Sequence, residues 1–123
     1  MNLQLEGKRA FVTGSNTGTA ASIAKTLARE GAHVTVHGRD RDRAEAVAAS
    51  IQDDGGKAAV VIGDLSSNTG TQQVADDART AFGGVDMLIN NAELIGYYET
   101  WDDVNDEDSV DRKFILERVN RWL

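Results

Sequence analysis

The 123-residue chain contains no cysteine and no proline. Without cysteine there is neither a disulfide scaffold nor a cysteine-based zinc site. The absence of proline, where average usage of about 5% predicts roughly six, carries no functional reading. No apolar run approaches the roughly 18 residues of a membrane span. The opening MNLQLEGKRAFVTG lacks the basic region and long apolar stretch of a secretory signal, so the expected location is the cytoplasm. A basic surface is also missing. Net charge is −7, which argues against nucleic acid as a partner, because phosphate backbones need cationic contacts. The acidity is uneven: residues 93–123 carry nine acidic and four basic side chains.

What remains is an ordinary globular composition, 41% hydrophobic and 27% charged, sufficient for one domain with its own core. Lys8 to Thr13 reads as a buried strand. A glycine-containing turn, Gly14-Ser15-Asn16-Thr17-Gly18, follows. Ala20, Ala21, Ile23, Ala24, Leu27 and Ala28 then recur at helical spacing, and Gly31 sits where a helix C-terminal glycine belongs. His33 to His37 is a second strand. Residues 40–53 form a charged helix with Ala44, Val47, Ala48 and Ile51 on one face, and Asp40 reads as its N-cap. Ala58 to Ile62 is a third strand, and residues 68–82 form a third helix with Val74, Ala78 and Phe82 inward. Val85 to Ile89 is a fourth strand. Strands alternating with helices over short connections imply a parallel sheet with right-handed crossovers. The expected fold is α/β, a Rossmann-type doubly wound parallel sheet, truncated, with strand order 3-2-1-4. Residues 1–92 make up the nucleotide-binding half. Residues 93–123 read as an acidic loop followed by a C-terminal helix over about 106–123, within the same domain and available as an oligomer contact.

The strand–turn–helix at residues 8–28 is the setting in which a glycine-rich sequence acquires chemical meaning. Glycines let the backbone approach a pyrophosphate, and the helix start presents N–H groups and a positive dipole end. Ser15, Asn16 and Thr17 add hydrogen-bonding side chains. No Gly-Lys-Ser/Thr follows, so a nucleoside triphosphate loop is disfavoured. Thr13, Gly14 and Gly18 resemble the Thr-Gly-x-x-x-Gly-x-Gly signature of short-chain dehydrogenases/reductases, with Ala20 at the third glycine and Thr19 in place of the usual isoleucine. Asp64-Leu65 resembles the family's Asp after the third strand, which contacts the adenine ring. Asn90-Asn91-Ala92 resembles its Asn-Asn-Ala-Gly, with Glu93 at the glycine. That resemblance implies hydride transfer between a carbonyl or alcohol and a nicotinamide cofactor. It assigns Gly14, Ser15, Asn16, Thr17, Gly18, Arg39, Asp64, Leu65, Asn90 and Ala92 to cofactor binding.

Cofactor choice is read after the second strand, where an acidic residue bonds a ribose 2′-hydroxyl and an arginine accommodates a 2′-phosphate. Here Gly38 stands where the NAD-type Asp falls and Arg39 follows, which favours NADP over NAD. His33 and His37 bracket the second strand and are expected to be strand-edge residues rather than metal ligands. No metal site is expected.

The family's Tyr-x-x-x-Lys pair, in which the lysine tunes a phenol for proton transfer, has no counterpart. Tyr97 is followed by Trp101 and Tyr98 by Asp102. Asn120 alone resembles a member of the family's catalytic set. The acidic cluster from Asp102 to Asp108 reads as a solvated loop and helix start. Three functions remain: the cofactor half of a short-chain oxidoreductase, inactive by itself; a catalytically silent NADP-binding or regulatory module; and a non-binding Rossmann-like interaction scaffold. The apolar fourth strand would be an edge, so a homo-oligomer or a complementing C-terminal half is expected to cover it.

Overall fold

The computed structural model describes residues 2–91. Within them seven elements alternate: β1 (Arg9–Val12), α1 (Gly18–Arg29), β2 (His33–Gly38), α2 (Arg41–Asp53), β3 (Lys57–Ile62), α3 (Asn68–Ala81) and β4 (Met87–Ile89). All neighbouring strands are parallel, in the order β3-β2-β1-β4. This is the doubly wound order expected from the sequence.

The two faces of the sheet separate by the alternation of side chains along each strand. Ala10, Val12, Val34 and Val36 pack with Ala20, Ala21, Ala24 and Ala28 of α1 and with Ala44, Val47 and Ile51 of α2. Phe11 and Val61 point the other way and pack with Leu65 and with Val74 and Ala78 of α3. Helices therefore cover both faces, which is why β1 and β2 are almost continuously buried. The alanines lining α1 let that helix sit close to the strands. Ala20 is fully inside this core, so a methyl group at the third glycine position of the turn is accommodated by the packing.

Helix ends follow the sequence signals. Asp40 caps α2 by accepting from the Arg43 N–H. Gly31 and Gly55 take positive φ, +93° and +87°, just past the ends of α1 and α2, the left-handed conformation glycine adopts without Cβ strain. Phe82 differs from the expectation. It is the C-cap of α3 rather than part of its inward face, and its ring lies 5.4 Å from that of His33.

The fourth strand is shorter than the sequence suggested, because Asp86 turns aside to Arg9. The carboxylate accepts from the Arg9 backbone N–H at 2.9 Å and from the guanidinium at two 3.0 Å contacts. That clamp fixes the entry of β4 beside β1. Among the described residues β4 pairs only with β1. Ala92, Glu93, Tyr97, Tyr98, Trp101, Asn120 and the expected tail helix lie outside the described residues.

Candidate cofactor site

Because all four strands run in parallel, the segments that leave their C-terminal ends gather along one edge of the sheet. The Gly14–Gly18 turn leaves β1, Arg39 follows β2, Gly63-Asp64 follows β3 and Asn90 follows β4. The chain winds outward from β1 through β2 to β3, then returns to the other side of β1. The β1 turn therefore lies at the point where the winding reverses, where open α/β sheets form a ligand crevice.

The turn is held from below by side chains. Gly14 and Gly18 have φ of +64° and +63°, so both use the glycine-favoured left-handed region. Ser15 is fully buried. Its hydroxyl donates to the Val12 carbonyl at 2.7 Å and accepts from the His37 N–H at 2.9 Å, while its own N–H donates to the His37 carbonyl at 2.8 Å. The Ser15 side chain thus anchors the turn to β2 and does not face a ligand.

Above that anchor the turn is open. Thr17, Gly18 and Thr19 are exposed, and a Cβ at Gly18 would meet no atom within 4 Å. Thr17 is the N-cap of α1 but its side chain makes no capping hydrogen bond, whereas Asp40 and Ser67 cap α2 and α3. The first N–H groups of an α-helix have no intrahelical partner. Those of α1, with the positive end of its dipole, face the open side of the turn and can receive an anion there.

At the end of β2, Gly38 is buried against the Asn16 side chain. A Cβ at Gly38 would lie 2.5 Å from Asn16 Nδ2 and 2.7 Å from Asn16 Cβ. Arg39, the next residue, is exposed and makes no ion pair among the described residues. Asp64 stands across from it. The Asp64 carboxylate accepts from the Ser66 N–H at 2.9 Å, and bonding to Ser66 holds its pKa below the usual carboxylate range, with Arg39 adding to the effect. Leu65 is buried in the α3 core, which leaves only its backbone to a ligand. Asn90 is exposed.

Two residues not assigned to the site from the sequence tie this edge together. Thr13 links the ends of β1 and β4: its N–H donates to the Ile89 carbonyl at 3.0 Å, and its hydroxyl accepts from the Asn91 N–H at 3.0 Å. The second is His37, expected at a strand edge but buried at 3% exposure. Its Nδ1 lies 2.9 Å from the Gly14 N and its Nε2 2.9 Å from the Gly63 carbonyl oxygen. The correction has a simple cause. β2 lies between β1 and β3, so a side chain near its C-terminal end spans to both neighbouring turns. His33, at the other end, is half-buried beside Phe82.

Among the described residues there is no cluster of three or more His, Cys, Asp or Glu suited to a metal ion, and no helix long and apolar enough to cross a membrane.

Comparison with known proteins agrees with this geometry. The short chain dehydrogenase family model matches residues 8–116. An uncharacterized oxidoreductase of Staphylococcus saprophyticus is 37% identical over 98% of this chain and 54% of its own length. The structure of L-sorbose reductase from Gluconobacter frateurii, complexed with NADPH and L-sorbose, superposes with a TM-score of 0.87 at 33% identity, covering 100% of this chain and 48% of that one. A 7α-hydroxysteroid dehydrogenase complexed with NADH and 7-oxo glycochenodeoxycholic acid superposes at 0.84 with 32% identity, covering 98% and 48%. The chain thus spans about half the length of the relatives it matches. With the strand order, the glycine turn and the family match in agreement, the chain belongs to the short chain dehydrogenase family.

Proposed function

We propose that this chain is the NADP-binding half of a short-chain oxidoreductase that transfers hydride between a carbonyl or alcohol and the nicotinamide. The observation that carries the reading is the open, side-chain-uncapped start of α1 above a turn built on Gly14 and Gly18. A pyrophosphate received there would take N–H donors from the residues around Thr17 and Gly18. Matched relatives hold NADPH in one case and NADH in another, so the overall fold does not choose between them and the choice falls to residues 38 and 39. Gly38 supplies no carboxylate for a ribose 2′-hydroxyl. Arg39 is exposed beside it and suits a 2′-phosphate. Asp64 would border the adenine ring, and Asn90 and Ala92 would flank the nicotinamide side.

The bound cofactor would supply the hydride. The residues of this chain would bind and orient it. They hold no Tyr-x-x-x-Lys, so a polypeptide of these 123 residues is expected to bind NADP without reducing carbonyl substrates. Asn120 would join a catalytic set completed by further residues. On this reading the β4 edge is covered by a second copy of the chain or by such a complementing segment.

Calorimetric titration with NADP+ and NAD+ tests the reading. Tighter binding of NADP+, with the preference swinging toward NAD+ in Arg39→Asp, is the expected result. Equal affinities in both proteins would remove Arg39 from the site. Absence of binding at millimolar cofactor would favour a non-binding scaffold, and reductase activity from the purified chain would refute its inactivity.

A further inference from the structure

The hydrogen bonds at His37 carry an inference that rests on the cofactor reading and extends it. Residue 37 makes four hydrogen bonds, and three of them go to the cofactor turn: the backbone pair with Ser15 and the imidazole contact with Gly14. The fourth goes to Gly63, directly before Asp64. A single side chain therefore joins the turn after β1 to the turn after β3, the two segments proposed to meet the pyrophosphate and the adenine ring.

The partners fix the state of the ring. The Gly14 N–H can only donate, so Nδ1 must offer a lone pair. The Gly63 carbonyl can only accept, so Nε2 must carry the hydrogen. Only the neutral Nε2–H tautomer satisfies both. A proton added at Nδ1 would face the Gly14 N–H, setting donor against donor inside a buried site, and one of the two would have to move away.

We propose that His37 is a positioning residue for the cofactor: its neutral imidazole holds Gly14 in the shape that opens the turn to a pyrophosphate, and protonation at Nδ1 releases that shape and weakens cofactor binding.

The surroundings favour the neutral ring. Burial is the largest influence and pushes the imidazole below its ordinary value of 6.5; the Gly63 carbonyl opposes this, Arg39 adds to it, and Asp64 opposes it. Those two charges come from the ends of β2 and β3. β1 presents the Phe11 ring, edge-on at 6.1 Å, and the turn presents Gly14 and Ser15. The α3 core on this face contributes Val74 and Ala78, and none of these groups is charged.

Two measurements test this. The first needs no cofactor. In nitrogen-labelled full chain, a scalar coupling across the hydrogen bond between the Gly14 amide nitrogen and His37 Nδ1, with the hydrogen on Nε2, is expected at neutral pH. A hydrogen on Nδ1, or no coupling, would overturn the proposal. The second is NADP+ binding from pH 8 to pH 5 for the wild type, His37→Asn and His37→Phe. Asparagine can keep an acceptor near Gly14, so His37→Asn should bind within about threefold of the wild type at pH 8, and His37→Phe should lose at least about tenfold, the loss of one good hydrogen bond. Wild-type affinity should fall on the acid side by more than that of His37→Asn, which registers only the titration of the phosphate itself. Equal losses in the two variants, or parallel acid limbs for wild type and His37→Asn, would overturn it. If NADP+ binds at no pH, the cofactor reading fails, and the coupling measurement still decides whether the imidazole holds the turn.

Discussion

Replacing Gly38 by alanine probes the contact on which cofactor choice is proposed to turn. The residue is buried, and its added methyl would come within 2.5 Å of Asn16 Nδ2 and 2.7 Å of Asn16 Cβ. Real Cβ atoms do not approach other heavy atoms so closely. The amide end of Asn16 can rotate away, but its Cβ moves only with the backbone of the turn, so the strain reaches the Ser15–His37 anchor. Overpacking of this kind costs about 1–3 kcal/mol. In an Asn16→Gly background the obstructing atoms are gone, and the same change should cost less than about 1 kcal/mol. Asn16→Gly has its own cost of roughly 0.5–1 kcal/mol through backbone entropy, which a double-mutant cycle removes. Urea unfolding of the four proteins should therefore give a coupling of at least about 1 kcal/mol. If Gly38→Ala costs the same in both backgrounds, within about 0.5 kcal/mol, Asn16 does not occupy the space and the steric argument is wrong. The functional corollary is that Gly38→Asp alone should weaken both cofactors by disturbing the turn, while Gly38→Asp with Asn16→Gly should bind and should prefer NAD+.

Other outcomes follow from the caps and the Arg9–Asp86 clamp. Ser67→Ala removes the acceptor for the Gly70 N–H and should cost about 0.5–2 kcal/mol in urea unfolding. Thr17→Ala removes no capping bond and should stay within about 0.5 kcal/mol of the wild type; an equal loss would mean that Thr17 caps α1 after all. The Arg9 guanidinium and N–H hold the Asp86 carboxyl far below its ordinary 3.8. A carboxylate depressed on folding stabilises the protein above its unfolded value, and that contribution is lost as pH falls through the folded one. Asp86→Asn should accordingly lower the urea midpoint at pH 7, with the gap to wild type narrowing below about pH 4. A gap independent of pH would show that the ionised pair contributes nothing.

Much of this edge of the sheet was legible because it depends on short-range chemistry. Apolar runs such as Ala10-Phe11-Val12, the alanine stripe of α1 and the glycines after each helix specify elements locally, and their alternation specifies a parallel sheet. The glycine turn and Arg39 were legible because their positions are set by where a strand ends. What escaped depends on strand neighbours. His37 looked like a strand-edge residue because its partners, Gly14 and Gly63, lie 23 and 26 residues away on the two flanking strands. Ser15 was assigned to the ligand because a hydroxyl in a phosphate turn can point either up or down, and only the packing of β2 beneath it directs it down. At the other end of the sheet, the fourth strand was expected to begin at Val85 and so to include Asp86, because the partner that draws Asp86 aside, Arg9, is 77 residues distant.

The most direct test of the central claim is chemical-shift mapping of the full chain on addition of NADP+. The largest changes are predicted at the amides of Asn16 to Ala20, at Arg39 and at Asp64-Leu65, with the capped starts of α2 and α3 beyond Arg43 and Gly70 little affected. Saturable shifts centred on those residues would place the cofactor on the open α1 start. Shifts absent at millimolar NADP+, or spread over other surfaces with Asn16 to Ala20 unmoved, would contradict the account.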